Sequence, residues 1–512
     1  MSISKLTPSS VDSAKPKINW ARIDEADNFA NTVKLYRQGK YDEDSFRRFR
    51  LQHGAYGTRM TSDYAMVRVK LPAGEIYPKQ FETLSRLSEQ YSIGSAHFST
   101  RENIQLHWVI LEDVSEIFRS LAEVGLTSRE ACGNSVRNVM CSPLSGVCSD
   151  EKFDSTPYAL ATAKFFLRNP MAQSLPRKFK FNFTCCEKHG MVRMVDVGLI
   201  PEIQQINGSK QKGFKIFLGG GLGNRSFVGH QLEDFTPEED LLYTSIAVMR
   251  IFDRLGDRKN LARNRMRYLV NDMGWEKFQN LVLKERAIVR ATQSVVTKLK
   301  VDTTPDKITR PLKISDEGGS SVPDGYARWL KSNTIKQKQS DYRSVFITLE
   351  AGDITSNQLN SMAALIREFS SEGKARSGFV QNVALRYVHE DDLVKLYSRL
   401  LETGLAKSGG LTMTAPVGCS GTTSCNLALT NSHRLAKEIQ RKFLELKLDE
   451  DDDLADSSIK ISGCPNSCAQ HGIATIGFFG GGGRLGKDMY PNYQMSLGGR
   501  FDADTTLGQT CL

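Results

Sequence analysis

Two stretches of this chain, 278 residues apart, can be laid over one another, and that internal repeat constrains the fold more than any single motif. The segment from Tyr64, YAMVRVKLPAGEIYPKQFETLSRLSEQYS, aligns with the segment from Tyr342, YRSVFITLEAGDITSNQLNSMAALIREFS, and sets Gly74 on Gly352. With one insertion the alignment continues through NIQLHWV from Asn103 and NVALRYV from Asn382 to Gly125-Leu126 and Gly404-Leu405. Each copy reads as strand, turn at a glycine, amphipathic helix, strand, helix: Val67, Val69 and Leu71 alternate, then Phe81, Leu84 and Leu87 recur at helical spacing. A unit of about 65 residues with this order is half of a ferredoxin-like sheet, so the two copies are expected to pair into one domain.

The segments downstream of the two copies are also related, more faintly. GNSVRNVMCSPLSGV and later GFKIFLGGGLG come after the first, while APVGCSGTTSC and later IGFFGGGGRLG come after the second. Each therefore has an apolar strand running into a glycine cluster. Glycines such as Gly219, Gly220 and Gly221, and Gly480 to Gly483, suit a backbone that must come close to something, with N–H groups free for anions; ordinary loops use them as well. Residues 301–340 read as a polar connector, and the acidic run Asp449 to Asp453 as a solvated loop.

Near the carboxyl end the chemistry is sharper. Cys419 and Cys425 have five residues between them, Cys464 and Cys468 have three, and both pairs sit among Gly, Pro, Ser and Thr. Four thiolates on tight turns meet the needs of a tetranuclear iron-sulfur cluster, in which each iron takes one soft ligand. Zinc is the first competitor, against which the five-residue gap argues. The opening MSISKLTPSSVDSAKPKINW has no apolar signal core, and no uncharged apolar run is long enough to span a membrane. The expected compartment is therefore the cytoplasm, which disfavours disulfides among the ten cysteines.

At these residues a resemblance becomes specific. APVGCSGTTSC at 415–425 and SGCPNSCAQ at 462–470 resemble the signature of the siroheme and iron-sulfur sulfite and nitrite reductase family, and so does the two-half repeat. The resemblance implies that Cys419, Cys425 and Cys464 hold a 4Fe-4S cluster, and that Cys468 is both ligand and bridge to the siroheme iron. It implies an α/β (α+β) fold in which two ferredoxin-like half-domains pair into one domain, with two related α/β domains around siroheme. The expected division is an N-terminal extension 1–45, a half-domain 46–128, a siroheme-binding domain 129–300, the connector, a half-domain 341–408 and a cluster-binding domain 409–512. Residues matching the family's distal anion pocket are Arg68 in MVRVKLP, Arg137 in NSVRNV, and Lys178 and Lys180 in LPRKFKF. Arg101 with Asn103 and Gln105 resembles the stretch that contacts siroheme carboxylates, and strand alternation would point all three to one face. Gly219, Gly220 and Asn466 are also expected at the cofactor. For each cation the alternative is a surface ion pair.

Lys178 and Lys180 resemble the Lys-x-Lys that family members acting on sulfite tend to carry, and a second cation would favour the more highly charged sulfite over nitrite. Trp108 departs from the pattern, since many relatives have glycine there. The implied reaction is six-electron reduction of sulfite to sulfide, with nitrite reduction as the alternative. No GxGxxG follows a strand in a βαβ unit, so electrons must come from another protein. The excess of 68 Lys and Arg over 58 Asp and Glu suits an acidic ferredoxin, with a separate flavoprotein as the other choice. A monomer is expected, with no membrane and no nucleic acid as partner. A zinc-dependent nucleic-acid binder would need aromatic-interleaved basic stripes, which are missing, and a cluster-bearing sensor would not need the four cations. Cys141 and Cys148 read as buried structural thiols and Cys511 as an exposed tail thiol.

Overall fold

The computed structural model describes residues 15–59, 61, 63–293, 299–311, 322–502 and 504–511. Parts of the expected extension (1–14) and connector (312–321) lie outside the described residues. The repeat folds into two five-stranded antiparallel sheets. Strands Ala55–Gly57, Tyr64–Lys70, Asn103–Ile110 and Ser95–Phe98 build the first; Thr334–Lys336, Tyr342–Ile347, Val383–His389 and Ala375–Ser377 build the second in the same order. Each sheet takes its fifth strand from the other half: Asp353–Thr355 pairs with Ser95–Phe98, and Glu75–Ile76 pairs with Ala375–Ser377. Separating the halves would therefore break both sheets. Helices Pro78–Tyr91 and Ser356–Phe369 lie against each other and share one core, including Phe81, Leu84, Leu87, Leu359, Met362 and Ile366.

The matched glycines mark this exchange. Gly74 and Gly352 have φ of +72° and +84°, and a side chain on either would drive into a carbonyl of the opposite half, that of Ser377 or Phe98. Both halves also carry the same bulge, with register shifts between Ala65 and Val67 and between Arg343 and Val345. Trp108 and Tyr387 sit opposite these bulges at φ +60° and +51°. Trp108 thus occupies a left-handed position, the conformation that makes glycine the easier residue.

Two expectations about the connecting segments are corrected and a third is sharpened. The expected extension is partly core: helices Asp24–Arg37 and Glu43–Gln52 place Phe29, Val33 and Phe46 in the first half's interior. The expected connector contains helix Tyr326–Asn333, whose Tyr326, Trp329 and Leu330 fall at i, i+3 and i+4 and whose Trp329 is fully buried. The acidic run stays exposed from Glu450 to Asp453 as expected, but it is pinned at its start, where Arg328 holds Asp449 at 2.9 Å and also Glu450, and by Lys331, which holds Asp452.

The two remaining sheets repeat each other as well. Met140–Cys141, Phe181–Phe183 and Val197–Ile206 run parallel, and Ser209–Leu218 returns antiparallel. Val417–Gly418, Ile459–Ser462 and Ile476–Leu485 run parallel, and Asp488–Leu497 returns antiparallel. The first packs helices Thr156–Phe166 and Leu241–Leu255 over a phenylalanine-rich core that includes Phe166, Phe181, Phe214 and Phe252. Among the described residues no helix is long and apolar enough to cross a membrane.

Candidate active site

The four cysteines of the quartet follow the carboxyl ends of parallel strands in the second of these sheets, the usual place for ligands, whereas Arg137, Lys178, Lys180 and Asp196 stand just before the parallel strands of the first. Cys419 follows Val417–Gly418, and its Sγ lies 3.1 Å from Ser432 Oγ and accepts the Gly463 N–H at 3.2 Å. Cys425 Sγ accepts the Leu427 N–H at 3.4 Å. Cys464 follows Ile459–Ser462, and its Sγ accepts Asn466 Nδ2 at 3.4 Å. Cys468 is exposed, with its carbonyl held by Thr100 Oγ1 at 2.7 Å. Burial first, and then the charge of Cys468, pushes the Cys419 thiol up to about 11; Cys425 and Cys464 are raised by burial, with Cys468 again a contributor. Ligation of these thiols therefore has to supply positive charge.

Their spacing discriminates between metals. A single zinc with Zn–S of about 2.3 Å brings its sulfurs to about 3.8 Å from one another. No three of these four sulfurs lie within 4.8 Å of each other. They are too spread for one ion yet within electrostatic reach of each other, and two accept backbone N–H groups, which fits a polynuclear cluster.

The basic residues converge on the other side. Arg68, on Tyr64–Lys70, stands opposite Gln105 in register and over the Tyr56 ring at 5.1 Å, with its Nε buried and unpartnered. Arg137 is pinned by its guanidinium donating to Ala131 O at 2.9 Å and to Gly133 O at 2.9 and 3.1 Å. Lys178 and Lys180 flank Phe179, which bridges to Val136. Burial, then Arg265 and Arg137, push Lys178 down to about 7, while burial and then Arg101, Arg265 and Lys178 push Lys180 well below its ordinary value. Cys468 lies within electrostatic reach of both Arg68 and Lys178. Asp196 is the carboxylate at the centre, accepting the Lys180 N–H at 2.9 Å and Arg265 Nη2 at 3.0 Å. So many cations around one carboxylate fit a polyanionic macrocycle and an oxyanion, which would relieve the repulsion that lowers both lysines.

Two expected groups are placed differently. Arg101 does not share a strand face with Asn103 and Gln105, because the strand begins at Asn103 and Glu102 has φ +52°, which breaks the alternation. Arg101 instead donates Nη2 to Asn138 O at 2.8 Å and leaves Nη1 buried and unpartnered. Asn103 turns back, its Nδ2 donating to Arg101 O at 2.8 Å and its Oδ1 left orphaned. Gly219 and Gly220 are closely enclosed by the chain. A side chain on Gly220 would strike the Arg193 carbonyl, and the N–H groups of Gly219 and Gly221 are taken by Asp196 O and Phe227 O.

Sequence reasoning missed Arg265 and Arg267, both buried. The first pairs with Asp196, and the second packs against Gly221 and Gly223 with Nη1 unpartnered. The alternating arginines of NRMR at the start of a helix were the available signal. Tyr56 and buried Cys132, which both act on Arg68, were missed too.

Comparison with known proteins places the chain in a family. The nitrite/sulfite reductase ferredoxin-like half domain matches residues 57–124 and 335–403, and the nitrite and sulphite reductase 4Fe-4S domain matches residues 132–289. Together these cover more than half of the chain, which belongs to the nitrite and sulfite reductase family. It is an oxidoreductase whose cofactors are siroheme and a 4Fe-4S cluster. Over 431 residues it is 27% identical to sulfite reductase [ferredoxin] 1 of Mycolicibacterium paratuberculosis, covering 82% of this chain and 71% of that one. Over 450 residues it is 28% identical to the assimilatory ferredoxin-dependent nitrite reductase of Haloferax mediterranei, covering 85% and 74%. The fold is also that of the Mycobacterium tuberculosis NirA protein, with a TM-score of 0.76 at 24% identity over 96% of this chain and 87% of that one.

Proposed function

We propose that this chain reduces sulfite to sulfide with electrons from ferredoxin, acting as a cytoplasmic monomer. The observation that carries the sulfite reading is the pair Lys178 and Lys180 beside Arg68 and Arg137, a cation excess matched to a dianion. Relatives named for ferredoxin and a net charge of +10 support the donor.

Cys419, Cys425, Cys464 and Cys468 would hold the cluster, with Cys468 shared with siroheme. Bound siroheme supplies the iron that takes substrate and delivers electrons to it. The chain's own residues do the rest. Arg137, fixed by the Ala131 and Gly133 carbonyls, presents an oriented guanidinium to the substrate oxygens, and Arg68 is backed by the Tyr56 ring. Each oxygen leaving as water needs protons, and Lys178, buried among these cations, can hold one and pass it on. Lys180 adds charge at the same face, anchored through its backbone by Asp196. Arg101 and Arg267, each with a buried unpartnered nitrogen, would take siroheme carboxylates.

Steady-state rates with reduced methyl viologen test the substrate assignment. Sulfite is expected to show the higher kcat/KM. A nitrite preference above about tenfold, near 1.4 kcal/mol, would move the chain to the nitrite branch.

A further inference from the structure

Outside the basic pocket and the cysteine quartet, three further cysteines and a histidine meet at the carboxyl ends of two parallel strands. Cys185 and Cys186 follow Phe181–Phe183, and Cys148 closes the turn after Met140–Cys141, its N–H donating to Leu144 O at 2.9 Å. His189 is fixed by Thr184, whose Oγ1 donates to His189 O at 2.6 Å and to Cys186 O at 3.2 Å. His189 Nδ1 lies 3.1 Å from Cys186 Sγ, 3.7 Å from Cys148 Sγ and 3.8 Å from Cys185 Sγ. Cys186 Sγ is 3.9 Å from each of the other two sulfurs, and all four donor atoms lie within 4.8 Å of one another.

These edges match a tetrahedron around one ion. Zn–S of about 2.3 Å and Zn–N of about 2.0–2.1 Å give edges of about 3.8 Å between sulfurs and about 3.5 Å between sulfur and nitrogen. The separations are far too long for a disulfide bond of about 2.05 Å. They are also tighter than in the quartet at Cys419 to Cys468, so the two cysteine groups suit different metals. We propose that Cys148, Cys185, Cys186 and His189 bind one structural zinc ion. Four protein ligands close the coordination sphere, and three soft thiolates with an imidazole select zinc over hard cations. On binding, the three thiols release their protons to solvent and Nδ1 contributes its lone pair, the ring proton residing on Nε2.

The ion would fasten a junction. The three cysteines share an apolar cluster with Leu144, Phe346 and Ala384, the last two from the second ferredoxin-like sheet. Around it the Lys338 N–H donates to Val147 O at 2.9 Å, Gln339 Nε2 to Gly146 O at 3.0 Å, and Arg386 Nη1 to Pro143 O at 3.2 Å. Zinc at this point ties the turn at 142–148 to the turn at 184–189, where the first α/β sheet abuts the second half.

Elemental analysis of the holoenzyme, purified without chelator, tests this. About one zinc per chain is expected in addition to the iron, with an X-ray absorption edge fitted by three sulfurs and one nitrogen. Cys186→Ser should lose the zinc and lower Tm while keeping the siroheme absorption, and His189→Cys should retain zinc through a fourth thiolate. Holoenzyme without zinc would overturn the proposal, as would zinc bound undiminished by Cys186→Ser, or a mass lower by two hydrogens from a disulfide among the three. Should Cys186→Ser fail to fold, the wild-type zinc count and edge spectrum decide.

Discussion

The sheet built on Met140–Cys141, Phe181–Phe183 and Val197–Ile206 and the one built on Val417–Gly418, Ile459–Ser462 and Ile476–Leu485 share strand order and direction. They carry different chemistry, the cations at the amino ends of the first sheet's parallel strands and the quartet at the carboxyl ends of the second's. The first offers Lys178 and Lys180, with Arg265 held by Asp196, and beyond them the tight Cys148–His189 group. The second offers four thiols with backbone N–H donors. A duplicated scaffold thus supplies two faces, one for holding anions and one for storing electrons. The ferredoxin-like pair between them, locked by reciprocal strands, fixes their mutual position.

The widest gap between the faces should show in the quartet. Cys464→Ser or Cys468→Ser is expected to abolish sulfite reduction and acid-labile sulfide together, whereas Lys178→Ala should retain both cofactors and lower kcat by about 10²–10³. Colorimetric sulfide and turnover assays on the same preparations separate the two. Within the basic face, Lys180→Asn should reduce sulfite turnover more than nitrite turnover; equal losses would remove the charge argument for sulfite.

The exchanged strands give a smaller effect. Gly74→Ala and Gly352→Ala each force a side chain onto a carbonyl of the opposite half at positive φ, so each should cost about 2–4 kcal/mol by denaturant melts, and by similar amounts. Asp353, on one exchanged strand, contacts His97 at 3.0 Å, His433 at 2.8 Å and Lys437 at 2.9 Å. Burial alone would raise its carboxyl, but the hydrogen bonds from His433 and His97 outweigh it and hold it well below the usual carboxylate range. Its contribution is therefore full above the unfolded carboxyl value near 4 and is lost as pH falls toward the folded value. Asp353→Asn should cost about 1.5–3 kcal/mol at pH 7 and progressively less in acid melts below pH 4.

Much of this was legible because it repeats. The strand alternation, helical spacing and shared glycines at Gly74 and Gly352 carry over directly into the paired sheets. The strand exchange was hidden because its strands, Glu75–Ile76 and Asp353–Thr355, are too short to show a period. Trp329 was hidden by the polar residues around its short helix. Arg101 was misplaced because a left-handed residue such as Glu102 leaves no mark on an alternating pattern. Cys185 and Cys186 escaped notice because their partners come together only through parallel strand pairing, Cys148 and Cys185 being 37 positions apart in the chain.

Everything in the proposed reaction requires that the thiols of Cys419, Cys425, Cys464 and Cys468 hold an iron-sulfur cluster beside the basic pocket. Iron and acid-labile sulfide counted per chain in the wild type and in Cys464→Ser test this most directly. The wild type should contain about five irons and about four sulfides, and the variant should lose the sulfide. Sulfide absent from the wild type, or present in full in the variant, would contradict it.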